Sequence, residues 1–458
     1  MSVQESVHNQ PIQEDEAPPG AILEVAMLAY PVVLQTLAET LMHVIDTAMI
    51  GKLGTAALGA CGFSGTWIWT LLVPFAGIAS GVQTFVARHD GAKQRNLCGG
   101  WVWQAMWMGT PAIILWSALI ALFLPPLYAL IGIEPELQKL AVDYGMARLP
   151  GGPAVVAEFA LCAFFRGIGD TRTPLKAVAL GVTINFVAAY VLIFGRFGFP
   201  NLGIAGAGIA QSIGSYVIVA VLLHAFLKRR MRVRYGTSPT LPDRSQLVRF
   251  ATTSLPIGGQ WLLDMTTFAI FTSLVARMGT TAMAASQAML QLLSLSFMQA
   301  VAIATAAGTL IGRYLGAGDL AAASRSYRSA VYLALGLAGA VAALFLGAPE
   351  ALLGLFADDS EVLRMARPLL ALGAFFQIVD ALGIVAAGSL RGAGDTRWPF
   401  MLQAGLAWLV RLPAVYLGAF AFGGGVFGAW GGELVYVCVL GLGLMHRFGR
   451  GNWQTVTL

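Results

Sequence analysis

The feature that most constrains this chain is a series of long apolar stretches between residues 24 and 446. A helix needs about 20 predominantly apolar residues to cross the hydrocarbon core of a bilayer. Twelve stretches approach or exceed that length, and the breaks between them carry turn residues or charges. The predicted spans are 24–48, 57–85, 99–124, 140–164, 174–195, 203–227, 248–275, 282–311, 324–348, 362–388, 398–420 and 425–446.

The amino-acid composition also indicates that the chain lies in a lipid bilayer. Apolar residues make up 57% of the 458 residues and charged residues only 11%. Because soluble domains carry about 25% charged residues, a soluble chain of this composition could not cover its apolar surface. In hydrocarbon the backbone must bond to itself, and a helix does so within one segment. The sequence therefore predicts an all-α protein that crosses the inner (plasma) membrane twelve times.

The basic residues predict the direction of insertion, since cytoplasmic loops are enriched in Lys and Arg. Of the 28 Lys and Arg residues, 20 fall in the even-numbered gaps between spans, in the first five residues of the span that follows such a gap, or after the last span. Both termini are therefore predicted to be cytoplasmic. The formal charge of +5 follows from this loop bias, so it gives no support to nucleic-acid binding.

An internal repeat emerges when the chain is shifted along itself so that Pro31 falls on Pro256. Residues that this shift superimposes are equivalent positions of the repeat. The clearest repeated element is R-G-x-G-D-T-R-x-P, at 166–174 and at 391–399. Each copy of the repeat holds six spans, so both enter the membrane from the same side.

The repeat predicts two pseudo-symmetric six-helix lobes with a transport path between them. The predicted division is a disordered cytoplasmic tail at 1–20, lobes at 21–227 and 248–447, a cytoplasmic linker at 228–247 and a cytoplasmic tail at 448–458.

Acidic residues inside the spans are costly in a membrane and are functional candidates for that reason. In the first span, four polar residues follow one another at steps of four, four and three, so they share one face of the helix. A buried carboxyl group can be neutral or charged at physiological pH, as proton transport requires. The acids are Glu39, Asp46, Glu158, Asp264, Asp380 and Glu433, and the polar face is Gln35, Glu39, His43 and Asp46.

Two features together resemble the MATE family of multidrug and toxin extrusion transporters. One is the pair of R-G-x-G-D-T-R-x-P segments; the other is Val44-Ile45-Asp46-Thr47, which leads to Gly51-x-x-Gly54-x-x-x-Leu58. The resemblance covers nearly the whole chain after residue 24. It implies two six-helix lobes in a V around a central cavity, and export of amphipathic, often cationic compounds in exchange for protons or sodium ions.

The resemblance also implies roles for three acids. Asp46 matches the aspartate that the family uses for proton coupling in the N-terminal lobe. Asp264 and Asp380 match positions that one branch of the family uses for cation binding in the C-terminal lobe, so a Na⁺ site at this pair is an alternative.

One departure from the family pattern concerns the surroundings of Asp46. Members with a strong proton site in the N-terminal lobe often carry Asn-x-x-x-Asp in the fifth span, whereas Asn185 is followed four residues later by Ala189. Asn185, Glu39 and His43 are then the candidate neighbours of Asp46.

The candidate site residues form three groups. The ion-coupling candidates are Asp46, Asp264, Asp380 and Glu39. The substrate-binding candidates are Gln35, His43, Asn185, Gln260 and Gln287. Pro31 and Pro256, which occupy equivalent positions, each remove a backbone hydrogen bond inside a span and are the predicted hinges.

The function predicted from these residues is secondary antiport that exports amphipathic, cationic organic compounds in exchange for protons. A Na⁺-coupled exporter of the same family and a flippase for lipids or lipid-linked glycans are the alternatives. The sequence contains no zinc-protease, Walker or dinucleotide motif, and its four cysteines lack metal-site spacing, so we expect neither an enzyme nor a cofactor. The expected partners are small-molecule substrates and membrane lipid, with no nucleic acid, and the expected state is a monomer.

Overall fold

The computed structural model describes residues 18–132, 134–354 and 360–456. The described part of the chain contains twelve long helices, and each of them covers one predicted span to within one residue. Their bounds are α1 Ile22–Gly51, α2 Thr55–Gly91, α3 Arg95–Ile131, α4 Pro135–Gly167, α5 Arg172–Phe194, α6 Gly203–Phe226, α7 Arg244–Ala276, α8 Thr280–Gly316, α9 Leu320–Gly347, α10 Ser360–Gly392, α11 Arg397–Ala421 and α12 Gly425–Gly449. The prediction of an all-α membrane protein is confirmed.

Eleven of these helices combine the length and the apolar composition of a membrane span. The exception is α7, which is 33 residues long but less apolar than the others. It carries Arg244 and Arg249 near its start and Gln260 and Asp264 in its second half. Length alone therefore qualifies α7 as a membrane helix, and its polar residues need partners inside the protein.

The helices divide into the two predicted lobes, but the first helix of each lobe begins in the core of the other lobe. Val25 and Ala29, in the first turns of α1, belong to the apolar cluster built by α8, α9, α10 and α12. Phe250, in the first turns of α7, belongs to the apolar cluster of the N-terminal lobe. Since Val25 and Phe250 are equivalent positions, the repeat extends to this crossing of the lobes.

The lobes are joined at the face that carries the even-numbered gaps. The Thr84 hydroxyl donates to the carbonyl oxygen of Arg391 at 2.9 Å, and the Thr309 hydroxyl donates to that of Arg166 at 3.2 Å. The two threonines are equivalent positions, and so are the two arginines, so the same bond is made twice. Nε2 of Gln83 adds bonds to the carbonyl and the hydroxyl of residues on α8.

Backbones come into close contact at this junction. A Cβ atom on Gly91 would overlap the carbonyl of Arg313, and one on Gly316 would overlap the carbonyl of Arg88. Glycine at these two equivalent positions lets the ends of α2 and α8 touch. Among the described residues, the hydrogen bonds between the lobes lie at this face, so the path between the lobes is closed here.

The segments that flank the lobes also make contacts. Pro19 and Gly20 accept hydrogen bonds from Arg325 and Ser329 on α9. The predicted disorder of the N-terminal tail otherwise concerns residues 1–17, which lie outside the described residues. In the predicted C-terminal tail, the buried Trp453 stacks on Phe448 with ring centroids 4.6 Å apart.

Candidate functional site

Among the described residues of the N-terminal lobe, the most deeply buried carboxyl group is that of Asp46 on α1, with only 2% of the residue exposed. Nδ2 of Asn185 on α5 donates to both carboxylate oxygens, at 3.0 Å to Oδ1 and 3.2 Å to Oδ2. Nε2 of Gln211 on α6 donates to Oδ2 at 3.1 Å. The Tyr144 hydroxyl on α4 donates to Oε1 of Gln211 at 3.1 Å and so fixes the orientation of that amide. Four helices therefore converge on a carboxyl group whose hydrogen-bond donors are uncharged.

Of the three neighbours predicted for Asp46, Asn185 is the one that contacts its carboxylate. Oδ1 of Asn185 is buried and has no hydrogen-bond partner in the described structure. His43 is exposed and interacts electrostatically with both Asp46 and Glu39. The side chains of Gln211 and Tyr144 complete the centre.

A second group of polar side chains in this lobe lies closer to the junction of the lobes. Nε2 of Gln35 donates to Oε1 of Glu39 at 3.0 Å, and Nη2 of Arg166 donates to Oε1 of Gln35 at 2.9 Å. Glu158 interacts electrostatically with Glu39 and with the guanidinium groups of Arg148 and Arg166. The predicted polar face of α1 therefore serves two centres, with Asp46 in one and Gln35 and Glu39 in the other.

The C-terminal lobe is organised around a buried ion pair between Arg411 on α11 and Glu433 on α12. Nε of Arg411 donates to Oε2 of Glu433 at 2.9 Å, and Nη2 donates to Oε1 at 2.5 Å. Nη1 donates to the Thr267 hydroxyl on α7. The guanidinium carbon lies 5.0 Å from the ring centroid of Tyr436, a cation–π contact. Side chains of two other helices, α7 and α12, thus hold this guanidinium in place.

The two predicted cation-binding acids, Asp264 and Asp380, belong to the same electrostatic cluster. Asp264 interacts with Arg411, Arg391 and Glu433, and its Oδ1 accepts a hydrogen bond from Nε2 of Gln403 at 2.5 Å. Asp380 interacts with Asp264, Glu433 and Arg411. Three carboxyl groups and two guanidinium groups therefore share this space, which leaves one negative charge when all are ionised.

The remaining predicted residues take no part in the hydrogen bonds described above. Gln260 is buried on α7, and Gln287 is exposed on α8. Pro31 and Pro256 lie inside α1 and α7, which continue as helices on both sides of each proline. Their roles in substrate binding and bending stay predictions.

A metal site of protein ligands is not formed in the described ranges, where no three His, Cys, Asp or Glu side chains are grouped to hold an ion. At the pair Asp264 and Asp380, several oxygens that could ligate Na⁺ already accept N–H donors. They are one oxygen of Asp264, both oxygens of Glu433 and the hydroxyl of Thr267. A hard cation binds through several oxygen ligands at once, so this donor set fits Na⁺ poorly while Arg411 is in place.

Comparison with known proteins finds a family model and several relatives that match this chain. The MatE family model matches residues 31–191 and 256–417, two segments that begin at the equivalent prolines of the repeat. A probable multidrug resistance protein NorM of Pseudomonas putida is 30% identical over 444 residues, which cover 94% of this chain and 95% of that protein. The multidrug resistance protein NorM of Burkholderia vietnamiensis is 31% identical over 446 residues, with 94% and 95% covered.

A solved structure shows the same fold. The crystal structure of the Vibrio cholerae MATE transporter VcmN in its bent form aligns with a TM-score of 0.84 at 20% identity, over 94% of this chain and 96% of that chain. The predicted arrangement of two six-helix lobes is confirmed, and so is the resemblance that was seen in the repeated motifs.

Proposed function

The chain belongs to the MATE family, and from that premise we propose that it is a proton-coupled antiporter that exports amphipathic organic cations. The observation that carries the proposal is the surroundings of Asp46. Its carboxylate accepts hydrogen bonds from the neutral amides of Asn185 and Gln211, so it can gain or lose a proton without breaking an ion pair. Burial favours the neutral form of a carboxyl group and amide donors favour the charged form, so the two effects oppose each other.

The amide of Asn185 supplies a response to protonation. Its Nδ2 donates to the charged carboxylate, while its buried Oδ1 has no partner among the described residues. When Asp46 takes up a proton, its new O–H group needs an acceptor. Rotation of the Asn185 amide would offer Oδ1 as that acceptor. Gln211 cannot rotate as freely, because Tyr144 holds its Oε1. Proton uptake would therefore change the contact between α1 and α5 and leave the contact to α6 in place.

The closed junction between the two lobes indicates the side of the membrane on which the proton would be exchanged. The junction that closes the path lies at the face of the even-numbered gaps, and the distribution of Lys and Arg predicts that this face is cytoplasmic. In this state the protein would exchange substrate for a proton on the outer side. Both termini would be cytoplasmic, and the protein would work in the inner (plasma) membrane, as a monomer that contains two complete lobes.

The substrate cation would bind in the C-terminal lobe. Asp264 and Asp380 provide carboxylates beside a guanidinium that is already paired, and the excess of one negative charge suits an organic monocation. The exposed side chain of Asp264 is accessible to a ligand. The relatives named as multidrug resistance proteins support export of such compounds.

Everted membrane vesicles test the proposal. They would be supplied with ethidium under a pH gradient with an acidic lumen, and with valinomycin and K⁺ to remove the membrane potential. We expect ethidium uptake that a protonophore abolishes and that removal of Na⁺ leaves unchanged. Uptake that a Na⁺ gradient sustains after the pH gradient has been collapsed would contradict proton coupling and favour the Na⁺-coupled alternative.

A further inference from the structure

Arg411 donates hydrogen bonds to oxygens of the C-terminal lobe that are of the kind that ligate small inorganic cations. The residue is 5% exposed, and the N–H groups of its guanidinium donate hydrogen bonds to Glu433 and Thr267. Because Arg stays protonated in proteins, this positive charge is permanent. A buried charge of this kind persists only when paired and hydrogen-bonded, as it is here.

The repeat shows that Arg411 is an addition to the scaffold. The shift that superimposes Pro31 on Pro256 places Arg411 on Phe186. The α11–α12 turn is shorter than the α5–α6 turn, so α6 and α12 align on their first residues, Gly203 and Gly425, and the counterpart of Glu433 is the uncharged Gln211. By contrast, Arg391 has an equivalent in Arg166 and belongs to the duplicated framework. The Arg411–Glu433 pair is therefore specific to the lobe that also holds Asp264 and Asp380.

The helix that carries Arg411 is irregular at this point. Ala407–Arg411 and Leu417–Ala421 are π-helical segments, and they flank the α-helical turn Leu412–Tyr416. Pro413 has no N–H group for the carbonyl one turn earlier, which loosens the α-helical pattern. Segments of π-helix occur often at functional sites. The wide turn ends at Arg411, where it sets the direction in which the guanidinium leaves the helix.

We propose that Arg411 is a tethered cation that fills the C-terminal lobe site and excludes Na⁺ from it. The guanidinium takes the oxygens of Glu433 and Thr267 that a hard ion would need, and it offsets one of the three carboxylate charges. Asp264 and Asp380 keep enough negative charge for one organic cation but lack the ligand shell for a metal ion. Arg411 would in this way set the specificity of the lobe. The inference rests on the proposed antiport, because it explains why the C-terminal acids do not couple transport to Na⁺.

Equilibrium binding of radioactive ²²Na⁺ to the purified full-length protein tests the inference without any transport step. We expect no saturable binding to the wild type and a gain of saturable binding in Arg411→Gln, which exposes three carboxylates and adds an amide oxygen. The gained binding should disappear when Asp264→Asn and Asp380→Asn are added. Arg411→Lys keeps the positive charge and should stay without Na⁺ binding.

Two further variants control the measurement. Arg447→Gln removes a guanidinium from a different ion pair, with Asp395 at 2.8 Å, and should not create a site. If Arg411→Gln fails to fold, Arg411→Gln with Glu433→Gln replaces the buried pair by neutral side chains of similar size, and its gain of Na⁺ binding decides the question. Saturable Na⁺ binding to the wild type that needs Asp264 and Asp380, or no gain in any folded variant without Arg411, would overturn the inference. Either result could occur with the pH-driven uptake intact, so the two proposals fail separately.

Discussion

The charged clusters inside the two lobes contain the same number of Asp, Glu and Arg side chains and arrange them differently. In the N-terminal lobe, the carboxyl groups of Glu39, Asp46 and Glu158 share the space with two guanidinium groups, from Arg148 and Arg166. The C-terminal lobe likewise has three carboxyl groups and two guanidinium groups. Each cluster is therefore left with one negative charge when these five groups are ionised, so the difference between the clusters lies in which groups are in contact.

The contacts differ between Asp46, which can lose its charge at little cost, and Glu433, which cannot. Asp46 is bound by neutral amides, so the loss of its charge breaks no buried ion pair. Glu433 is bound by both arms of a guanidinium, so its protonation would leave Arg411 as an unpaired buried cation, which is strongly unfavourable. Under the proposed function, one duplicated scaffold would carry a proton site in one lobe and a fixed charge beside a cation-binding site in the other.

The duplicated framework itself is the same in both lobes. A glutamine, an acid and an arginine recur at equivalent positions of the two copies. The trio is Gln35, Glu39 and Arg166 in the first copy and Gln260, Asp264 and Arg391 in the second. In the N-terminal lobe this trio is joined by hydrogen bonds. These positions belong to the repeat, whereas the difference that we propose between the lobes would come from residues that the two copies do not share.

The largest effect is expected from Asp46→Asn, which keeps the size of the side chain and removes the carboxyl group that would bind and release the proton. Ethidium uptake driven by a pH gradient should fall to the level of vesicles that lack the protein. Asp143→Asn, at an exposed acid on α4, is the matched control and should transport normally. Undiminished uptake by Asp46→Asn would remove the contrast between the lobes.

In the C-terminal lobe, we expect that breaking the ion pair between Arg411 and Glu433 will have a large effect on stability. Arg411→Met leaves Glu433 buried without a partner and should lower the free energy of unfolding by about 3–5 kcal/mol. Adding Glu433→Leu removes the stranded charge and should restore most of the loss. Thermal denaturation of the purified variants measures both. A single variant as stable as the wild type would mean that the pair is not buried in the working protein.

Gln211→Leu is expected to have an intermediate effect in the N-terminal lobe. It removes one donor from the Asp46 carboxylate and strands the Tyr144 hydroxyl, and a hydrogen bond to a charged group contributes about 1.5–3 kcal/mol. Uptake driven by the pH gradient should fall roughly tenfold while remaining dependent on Asp46. Tyr144→Phe removes only the group that orients the glutamine and should cost less. Equal losses in both variants would contradict the assigned order of contacts.

The smallest effects are expected at the duplicated junction, where the lobes are alike. Thr84→Val removes one hydrogen bond between the lobes, worth about 1 kcal/mol, and Thr309→Val removes two, because the Thr309 hydroxyl also accepts from Nε2 of Gln83. The population with the junction open should rise about fivefold in Thr84→Val and further in Thr309→Val. Distances between spin labels placed across the junction would report that population. A large effect in one variant and none in the other would show that the lobes are unequal here as well.

Most of the fold could be predicted from the sequence, and part of the site could not. Twelve apolar stretches and the internal repeat give the helices and the two lobes, because hydrocarbon imposes length and helical structure on each span. Asp46 and Asn185 stood out as polar residues in apolar spans. Gln211 carries the same signal, but a glutamine in a span does not reveal which acid it contacts.

The pairing of Arg411 with Glu433 shows what decides such contacts. The two residues are equally far along the chain from Phe422, at the turn between α11 and α12, so antiparallel helices bring them to the same depth. That spacing was available in the sequence. The rotation of each helix about its axis was not, because it depends on the packing of all its neighbours and on the π-helical turn before Leu412.

The most direct test of the division between the lobes is a count of protons released when a cation binds. Tetraphenylphosphonium has no titratable group, so protons that appear in a weakly buffered solution of the purified protein must come from the protein. We predict release from the wild type, no release from Asp46→Asn although it still binds the cation, and weakened binding with release retained in Asp264→Asn. Release that persists in Asp46→Asn and disappears in Asp264→Asn would place the proton in the C-terminal lobe and contradict the account.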